Sequence, residues 1–98
     1  AAPVGETILE GFIDLLFDEG DGLVVVDYKT DVLESEEEIT ARTRHYRIQA
    51  GAYALTLQEA TGRSVKEVVL LFLQPRRAIV LQDVPTLVME ARDAMPAT

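Results

Sequence analysis

The 98-residue chain has no cysteine and only one histidine. Without cysteine it cannot form a disulfide framework, a cysteine zinc site or a cysteine-ligated iron–sulfur cluster, so we expect no iron–sulfur cofactor. No apolar run approaches the roughly 20 residues that cross a bilayer, and no basic segment followed by an apolar one opens the chain. We therefore expect a cytoplasmic domain without membrane contacts.

Basic residues are scarce, because nine Lys and Arg stand against 17 Asp and Glu and give a net charge of −8. This sign disfavours DNA binding by the chain's own surface, since phosphate contacts need Lys and Arg. Composition alone favours a small-molecule site, a metal site or a protein partner. The 48% of apolar residues are enough to pack one small domain, which we expect to span residues 1–98.

The hydrophobic pattern predicts the element order β-β-α-β-β-α, an α/β fold with a mixed sheet. Strands are predicted at 7–18, 23–30, 65–74 and 77–81, with turns at 19–22 and 75–76. Ser35 and Glu38 have the spacing of a capping box, which predicts a helix from 35 to 61 that stops at Gly62. Asp83 and Pro85 predict the start of a last helix that runs to about residue 94. The apolar stripe of the long helix comprises Ile39, Tyr46, Ala50, Tyr53, Leu57 and Ala60.

The first two strands form a predicted hairpin that brings two acidic residues together. With a turn at 19–22, paired positions sum to 41, so Asp14 lies opposite Asp27 and both side chains share one face. A turn at 21–22 alone would instead set Asp14 opposite Lys29. Glu10 and Lys29 share the face of the two aspartates. The other face is predicted to be the core and carries Leu9, Ile13, Leu15, Phe17, Val24 and Val26.

Two opposed carboxylates at this spacing need an explanation, because opposed Cβ atoms lie only about 4.5–5.5 Å apart and like charges there are destabilising. A bridging divalent cation is one explanation, and a shared proton is another. Ordinary surface charge is a third, with Asp14 and Lys29 forming a weak salt bridge. The residues alone leave all three open.

The long helix carries further polar residues that need partners. Gln49 lies beside the tyrosines of the apolar stripe, where an amide must be hydrogen-bonded. The basic residues of the helix are Arg42, Arg44, His45 and Arg47. They could contact phosphates, or they could balance the acidic residues at 36–38.

Three segments, in order, resemble the RecB branch of the PD-(D/E)xK nucleases. They are Gly-Phe-Ile-Asp-Leu-Leu-Phe at 11–17, Val-Val-Val-Asp-Tyr-Lys-Thr at 24–30, and Gln49 with Tyr53 at Q-x-x-x-Y spacing. The resemblance runs from about residue 8 to 72 and is strongest to the C-terminal nuclease domains of AddA, RecB and related UvrD-like helicases. It implies a restriction-endonuclease-like core and a chain that is a C-terminal piece of a larger helicase–nuclease.

The resemblance also implies roles for individual residues. Asp14 and Asp27 would ligate Mg²⁺ or Mn²⁺, with the backbone carbonyl of Tyr28 as a third ligand. Lys29 would position the attacking water or stabilise charge on the phosphate, and Gln49 and Tyr53 would support the site and approach the DNA strand. The implied activity is exonucleolytic hydrolysis of DNA, with the metal lowering the pKa of a bound water. The implied partners are DNA, helicase domains of the same protein and, as an option, a second helicase–nuclease subunit.

Two features depart from the family pattern. The family usually carries a metal-binding histidine in an upstream helical segment, and His45 is in the wrong place to be that residue. We therefore expect the metal site to be one ligand short, and the isolated chain could be folded yet inactive. The acidic balance places most DNA affinity in the helicase domains. The alternatives are a catalytically silent scaffold or interaction domain on the same fold and an acidic protein-binding module. Silent domains typically lose one acidic residue or the lysine, and all three are present here.

Overall fold

The computed structural model describes residues 14–94, which form a four-stranded sheet and two helices. The strands are β1 (Leu15–Asp18), β2 (Leu23–Lys29), β3 (Val65–Phe72) and β4 (Arg77–Leu81). The helices are α1 (Glu36–Thr61) and α2 (Val84–Ala94). This order confirms the predicted β-β-α-β-β-α arrangement. The predicted strand residues before Asp14, with Leu9, Glu10 and Ile13, lie outside the described part of the chain.

The sheet is mixed, with the order β1-β2-β3-β4. β1 and β2 form an antiparallel hairpin, and the pairs Leu15–Val26 and Asp18–Leu23 confirm the register predicted from a four-residue turn. β2 and β3 are parallel, and β3 and β4 are antiparallel. Parallel neighbours need a crossover, which α1 supplies. The carboxyl ends of β2 and β3 therefore meet at one edge of the sheet.

Local capping sets both ends of α1 where the sequence predicts them. The Ser35 side chain accepts a hydrogen bond from the Glu38 backbone N–H at 3.1 Å. Gly62 adopts a left-handed conformation with φ of 68°, and its N–H bonds to the Gln58 carbonyl. That conformation favours glycine, because it is costly for residues with a Cβ. At the other end of the sheet, β3 stops at Phe72 rather than at the predicted residue 74, and the turn to β4 covers 73–76.

The core lies against the opposite face of the hairpin from the one predicted. The face of Leu23 and Val25 packs into the core with the helices, whereas Leu15 and Phe17 are 41% and 48% exposed. Since side chains alternate along a strand, Asp27 and Lys29 share the core face with Val25. Neighbouring positions on the other face of β2 are buried as well. A strand buried on both faces has no polar alternation to show which face the helix covers.

The two helices pack closely through a glycine on α1. A Cβ at Gly51 would lie 2.0 Å from the backbone oxygen of Leu87 on α2. Arg47 also joins the helices, donating to the carboxylates of Asp83 and Glu90 at 2.7 and 3.0 Å. The acidic residues at 36–38 are therefore not its partners, and Glu36 pairs with Arg77 instead. Neither helix within 14–94 is both long and apolar enough to cross a membrane.

Candidate active site

The candidate site lies at the carboxyl end of β2, where the strand passes beneath α1. Register pairs Asp27 with Leu70 and Lys29 with Phe72 of β3, and both of these neighbours are fully buried. Asp27 and Lys29 are themselves only 4% and 8% exposed. Burying two charges beside apolar side chains is costly unless they are paired, so their contacts decide what the site can do.

Asp27 is a buried carboxylate with an incompletely used oxygen. Its Oδ2 atom lies 2.7 Å from the Lys29 ammonium nitrogen, yet it has no hydrogen-bond partner among the described residues. Both observations hold together if the contact is a charge–charge contact without hydrogen-bond angles. Burial raises the pKa of Asp27, Lys29 opposes this effect, and Asp14 adds to it. A buried acceptor with unused capacity is available to a further cation.

Asp14 lies immediately before β1 and beside Asp27. Its carboxylate accepts a hydrogen bond from the backbone N–H of Tyr28 at 2.7 Å, and its own N–H donates to the Val26 carbonyl at 3.2 Å. The side chain of Asp14 therefore takes the place of a backbone acceptor at the end of the ladder. Both the charge of Asp14 and a hydrogen bond with it raise the pKa of Asp27. The two carboxylates are thus neighbours, as the hairpin register predicts.

The backbone of Tyr28 faces the same side as the Asp14 carboxylate. In an antiparallel pair, one residue directs both its N–H and its C=O toward the same neighbouring strand. The Tyr28 N–H points to Asp14, so its carbonyl is directed to that side as well. The next carbonyl, of Lys29, points the other way and accepts from the Leu73 N–H beyond β3. The predicted third ligand atom therefore lies on the side of the first carboxylate.

Lys29 is held by residues of two elements. Its ammonium nitrogen donates to the Gln49 side-chain oxygen at 2.6 Å and lies 3.9 Å from the centre of the Tyr46 ring. Asp27 supplies the third contact. Gln49, whose position beside the apolar stripe requires a partner, thus has the lysine as that partner.

Tyr53 is one helical turn beyond Gln49 and is 6% exposed. Burial raises the pKa of its phenol, and the negative charges of Asp27 and Asp14 raise it further. The phenol therefore remains protonated at neutral pH near both carboxylates. All five predicted catalytic residues, with the backbone of Tyr28, lie around the end of β2.

Sequence reasoning missed a second group of residues beside the site, formed by Asp31, Arg42 and Tyr46. The Tyr46 hydroxyl donates to Asp31 at 2.9 Å and accepts from Arg42 at 3.0 Å, and Arg42 also donates to Asp31 at 2.9 Å. The sequence pattern assigns Tyr46 to the apolar stripe, although its position three residues before Gln49 puts both side chains on one helix face. His45 is exposed and contacts the Tyr46 ring edge-on.

The donor set suits a hard divalent cation. Within residues 14–94, no group of three or more His, Cys, Asp or Glu side chains is placed to hold a metal ion. The site instead offers two carboxylates and a backbone carbonyl, the oxygen ligands that Mg²⁺ and Mn²⁺ prefer. The unused buried oxygen of Asp27 fits such an ion, because a second positive charge there would complete its coordination.

Comparison with known proteins agrees with this geometry. Residues 2–94 match the family model of the PD-(D/E)XK nuclease superfamily. An ATP-dependent helicase/nuclease subunit of Syntrophomonas wolfei is 42% identical over 76 residues, which cover 76% of this chain and 6% of that protein. The proteins of the same name from Acetivibrio thermocellus and Clostridium botulinum are each 47% identical, over 64 and 60 residues.

These relatives are far longer than the chain, which spans 4–6% of their length. The three motifs suggest the same family and the same kind of helicase–nuclease, and the matches confirm that resemblance. They bear on the nuclease segment of those proteins.

Proposed function

This chain belongs to the PD-(D/E)XK nuclease superfamily, and we propose that it is the catalytic core of a metal-dependent deoxyribonuclease. The observation that carries the proposal is the buried pair of Asp27 and Lys29, with the Asp14 carboxylate beside it. A stable fold gains little from burying such a pair, because well-packed apolar residues are often as stabilising. Its retention in the core is readily explained by chemistry.

In this proposal Asp14, Asp27 and the Tyr28 carbonyl hold one Mg²⁺ or Mn²⁺ ion. When bound, such an ion polarises a phosphate oxygen and lowers the pKa of a water molecule. The hydrogen bond from the Tyr28 N–H keeps the Asp14 carboxylate turned toward the end of β2. The chain thus supplies a preformed set of oxygen ligands.

Lys29 is the residue that acts on the reacting groups. Its ammonium has three N–H donors, and Gln49 takes one of them. The remaining donors can orient the attacking water or contact the phosphate, where positive charge helps most as negative charge builds up. Gln49 holds the ammonium in place, and the neutral phenol of Tyr53 lies near both carboxylates as a further donor toward the DNA strand.

The proposed reaction is hydrolysis of a DNA phosphodiester. The oxygen of water adds to phosphorus, one phosphorus–oxygen bond of the backbone breaks, and the products are a phosphate monoester and a hydroxyl group. We propose that the chain performs this reaction as the exonuclease part of an ATP-dependent helicase–nuclease that acts in double-strand-break repair and recombination. The names of the relatives support this assignment. Helicase domains of the same protein, and optionally a second subunit, would then deliver the DNA.

Substitution at the site tests the proposal in the whole protein that carries this chain. Asp27→Asn should abolish cleavage and Mn²⁺ binding, measured by paramagnetic broadening. Lys29→Gln should leave Mn²⁺ binding and lower the cleavage rate by about 100-fold or more, as expected for loss of an electrostatic stabiliser. ATP-driven unwinding should persist in both variants.

Matched controls come from the far end of the same strands. Asp21→Asn and Lys66→Gln remove an exposed pair at the hairpin turn, where the ammonium lies 3.2 Å from the carboxylate. Both controls should cleave DNA at the wild-type rate. Undiminished cleavage in Asp27→Asn would rule out this active site. A wild-type protein that neither cleaves DNA nor binds Mn²⁺ at Asp14 and Asp27 would favour the silent scaffold domain instead.

A further inference from the structure

The ammonium of Lys29 rests on an aromatic surface that the sequence motifs do not include. Its nitrogen lies 3.9 Å from the centre of the Tyr46 ring, well within cation–π range. A lysine side chain has a flexible four-carbon stem, so its position has to be imposed by neighbours. Gln49 fixes the ammonium from one direction, and the Tyr46 ring bounds it from another.

The Tyr46 ring is itself held in place by charged partners at its hydroxyl. Asp31, just beyond β2, accepts from the hydroxyl, while Arg42, one turn earlier on α1, donates to it. Arg42 and Asp31 also pair directly at 2.9 Å, which closes a three-membered network. Burial opposes ionisation of Asp31, but the hydrogen bonds from Tyr46 and Arg42 outweigh it and lower its pKa. The network therefore stays charged at neutral pH.

We propose that Tyr46 is a positioning residue for Lys29, and that Asp31 and Arg42 hold its ring against the ammonium. This inference rests on the proposed nuclease function of Lys29. The ring face attracts the ammonium without accepting its proton, so it restricts the lysine yet leaves N–H donors for water or phosphate. A carboxylate in that place would instead compete with the phosphate for the same positive charge.

A purely structural role for Tyr46 is the competing explanation, because the ring also packs near Phe72, with ring centres 6.3 Å apart. The two roles differ in what they require of Lys29. If Tyr46 acts through the lysine, removing the ring should matter only when the lysine is present. If the ring serves packing alone, its loss should affect the protein equally with or without that lysine.

A double-mutant cycle in the whole protein separates these roles, with single-turnover DNA cleavage as the readout. Tyr46→Leu should lower the rate about 10-fold, which corresponds to about 1.4 kcal/mol in the barrier. In a Lys29→Gln background the same change should lower the rate less than about twofold, since the contact is already lost. Tyr46→Phe keeps the ring and should retain most of the rate. The metal concentration for half-maximal cleavage should not change.

The control is Leu55→Ala, which removes packing from the same helix away from the lysine. At matched loss of melting temperature, it should cleave faster than Tyr46→Leu. Equal losses from Tyr46→Leu in both lysine backgrounds would overturn the positioning role, as would an unaltered rate in Tyr46→Leu when Lys29→Gln is impaired. Undiminished cleavage in Lys29→Gln would instead count against the proposed active site.

Discussion

Neutralising Lys29 should destabilise the protein in a way that depends on pH. In Lys29→Met the aliphatic stem is largely kept but the positive charge beside Asp27 is lost. The two side chains are only 10% and 6% exposed, so the carboxylate is left buried without its ion-pair partner. Removing one partner of a buried pair costs about 3–5 kcal/mol. That is roughly 12–40 °C in melting temperature for a domain of this size.

Protonation of Asp27 limits this loss. Protonating a carboxyl with the ordinary pKa of 3.8 costs about 5 kcal/mol near pH 7.5 but only about 1.6 kcal/mol near pH 5, at 1.36 kcal/mol for each pH unit. Because burial raises the pKa of Asp27 in the folded state, stability from its protonated form is present at low pH and is lost as the pH rises through that pKa. The loss in Lys29→Met should therefore shrink to less than about 2 kcal/mol near pH 5.

Urea denaturation in the presence of a chelator measures this effect at the two pH values. Other carboxylates titrate over the same range, but they do so equally in both proteins, so the difference between variant and wild type isolates Asp27. Asp27→Asn combined with Lys29→Met should regain most of the loss near pH 7.5, because neither charge remains to be buried. A loss that is equal at both pH values, or that Asp27→Asn fails to relieve, would refute the reasoning.

Two further predictions follow from the same contacts. Gly51→Ala should lower the free energy of unfolding by about 3 kcal/mol, near the upper end for overpacking, because its Cβ would meet the Leu87 backbone oxygen at 2.0 Å; chemical denaturation measures this, with the exposed Glu59→Ala on the same helix as control, and a stable Gly51→Ala would contradict the close packing of α1 and α2. Asp14→Asn should lower the pKa of Asp27, since the charge of Asp14 helps to raise it, and NMR titration of the Asp27 carboxyl would show an unchanged midpoint if the two side chains do not interact.

The hairpin and the helix limits were predictable because their causes are local. The four-residue turn determines the register from Leu15–Val26 to Asp18–Leu23, and Ser35 and Gly62 determine where α1 begins and ends. The side of the sheet that α1 covers is determined by tertiary packing. β2 is apolar on both faces, so its sequence could not show that Asp27 and Lys29 point toward the helix.

The same limit explains which site residues the sequence missed. Gln49 and Tyr53 could be found because their spacing resembles a family motif. Tyr46 has the composition of a core residue, and its contact with Lys29 exists only because α1 lies over the end of β2. Asp31 and Arg42 join the site only through Tyr46, so each looks like an ordinary loop or surface charge when the sequence is read alone.

The burial of Asp27 links metal binding to folding. A carboxylate with a raised pKa and an unused oxygen lowers the stability of the metal-free protein at neutral pH. A cation that binds the folded state alone adds stability in proportion to the logarithm of its concentration over its dissociation constant. It would also lower the pKa of Asp27, because an opposite charge favours the ionised form. The stabilisation by Mg²⁺ or Mn²⁺ should therefore be larger near pH 8 than near pH 5, where protons compete for the same oxygens. Melting temperatures measured across a metal titration at both pH values would show this coupling. Equal stabilisation at the two pH values would place the bound ion away from Asp27.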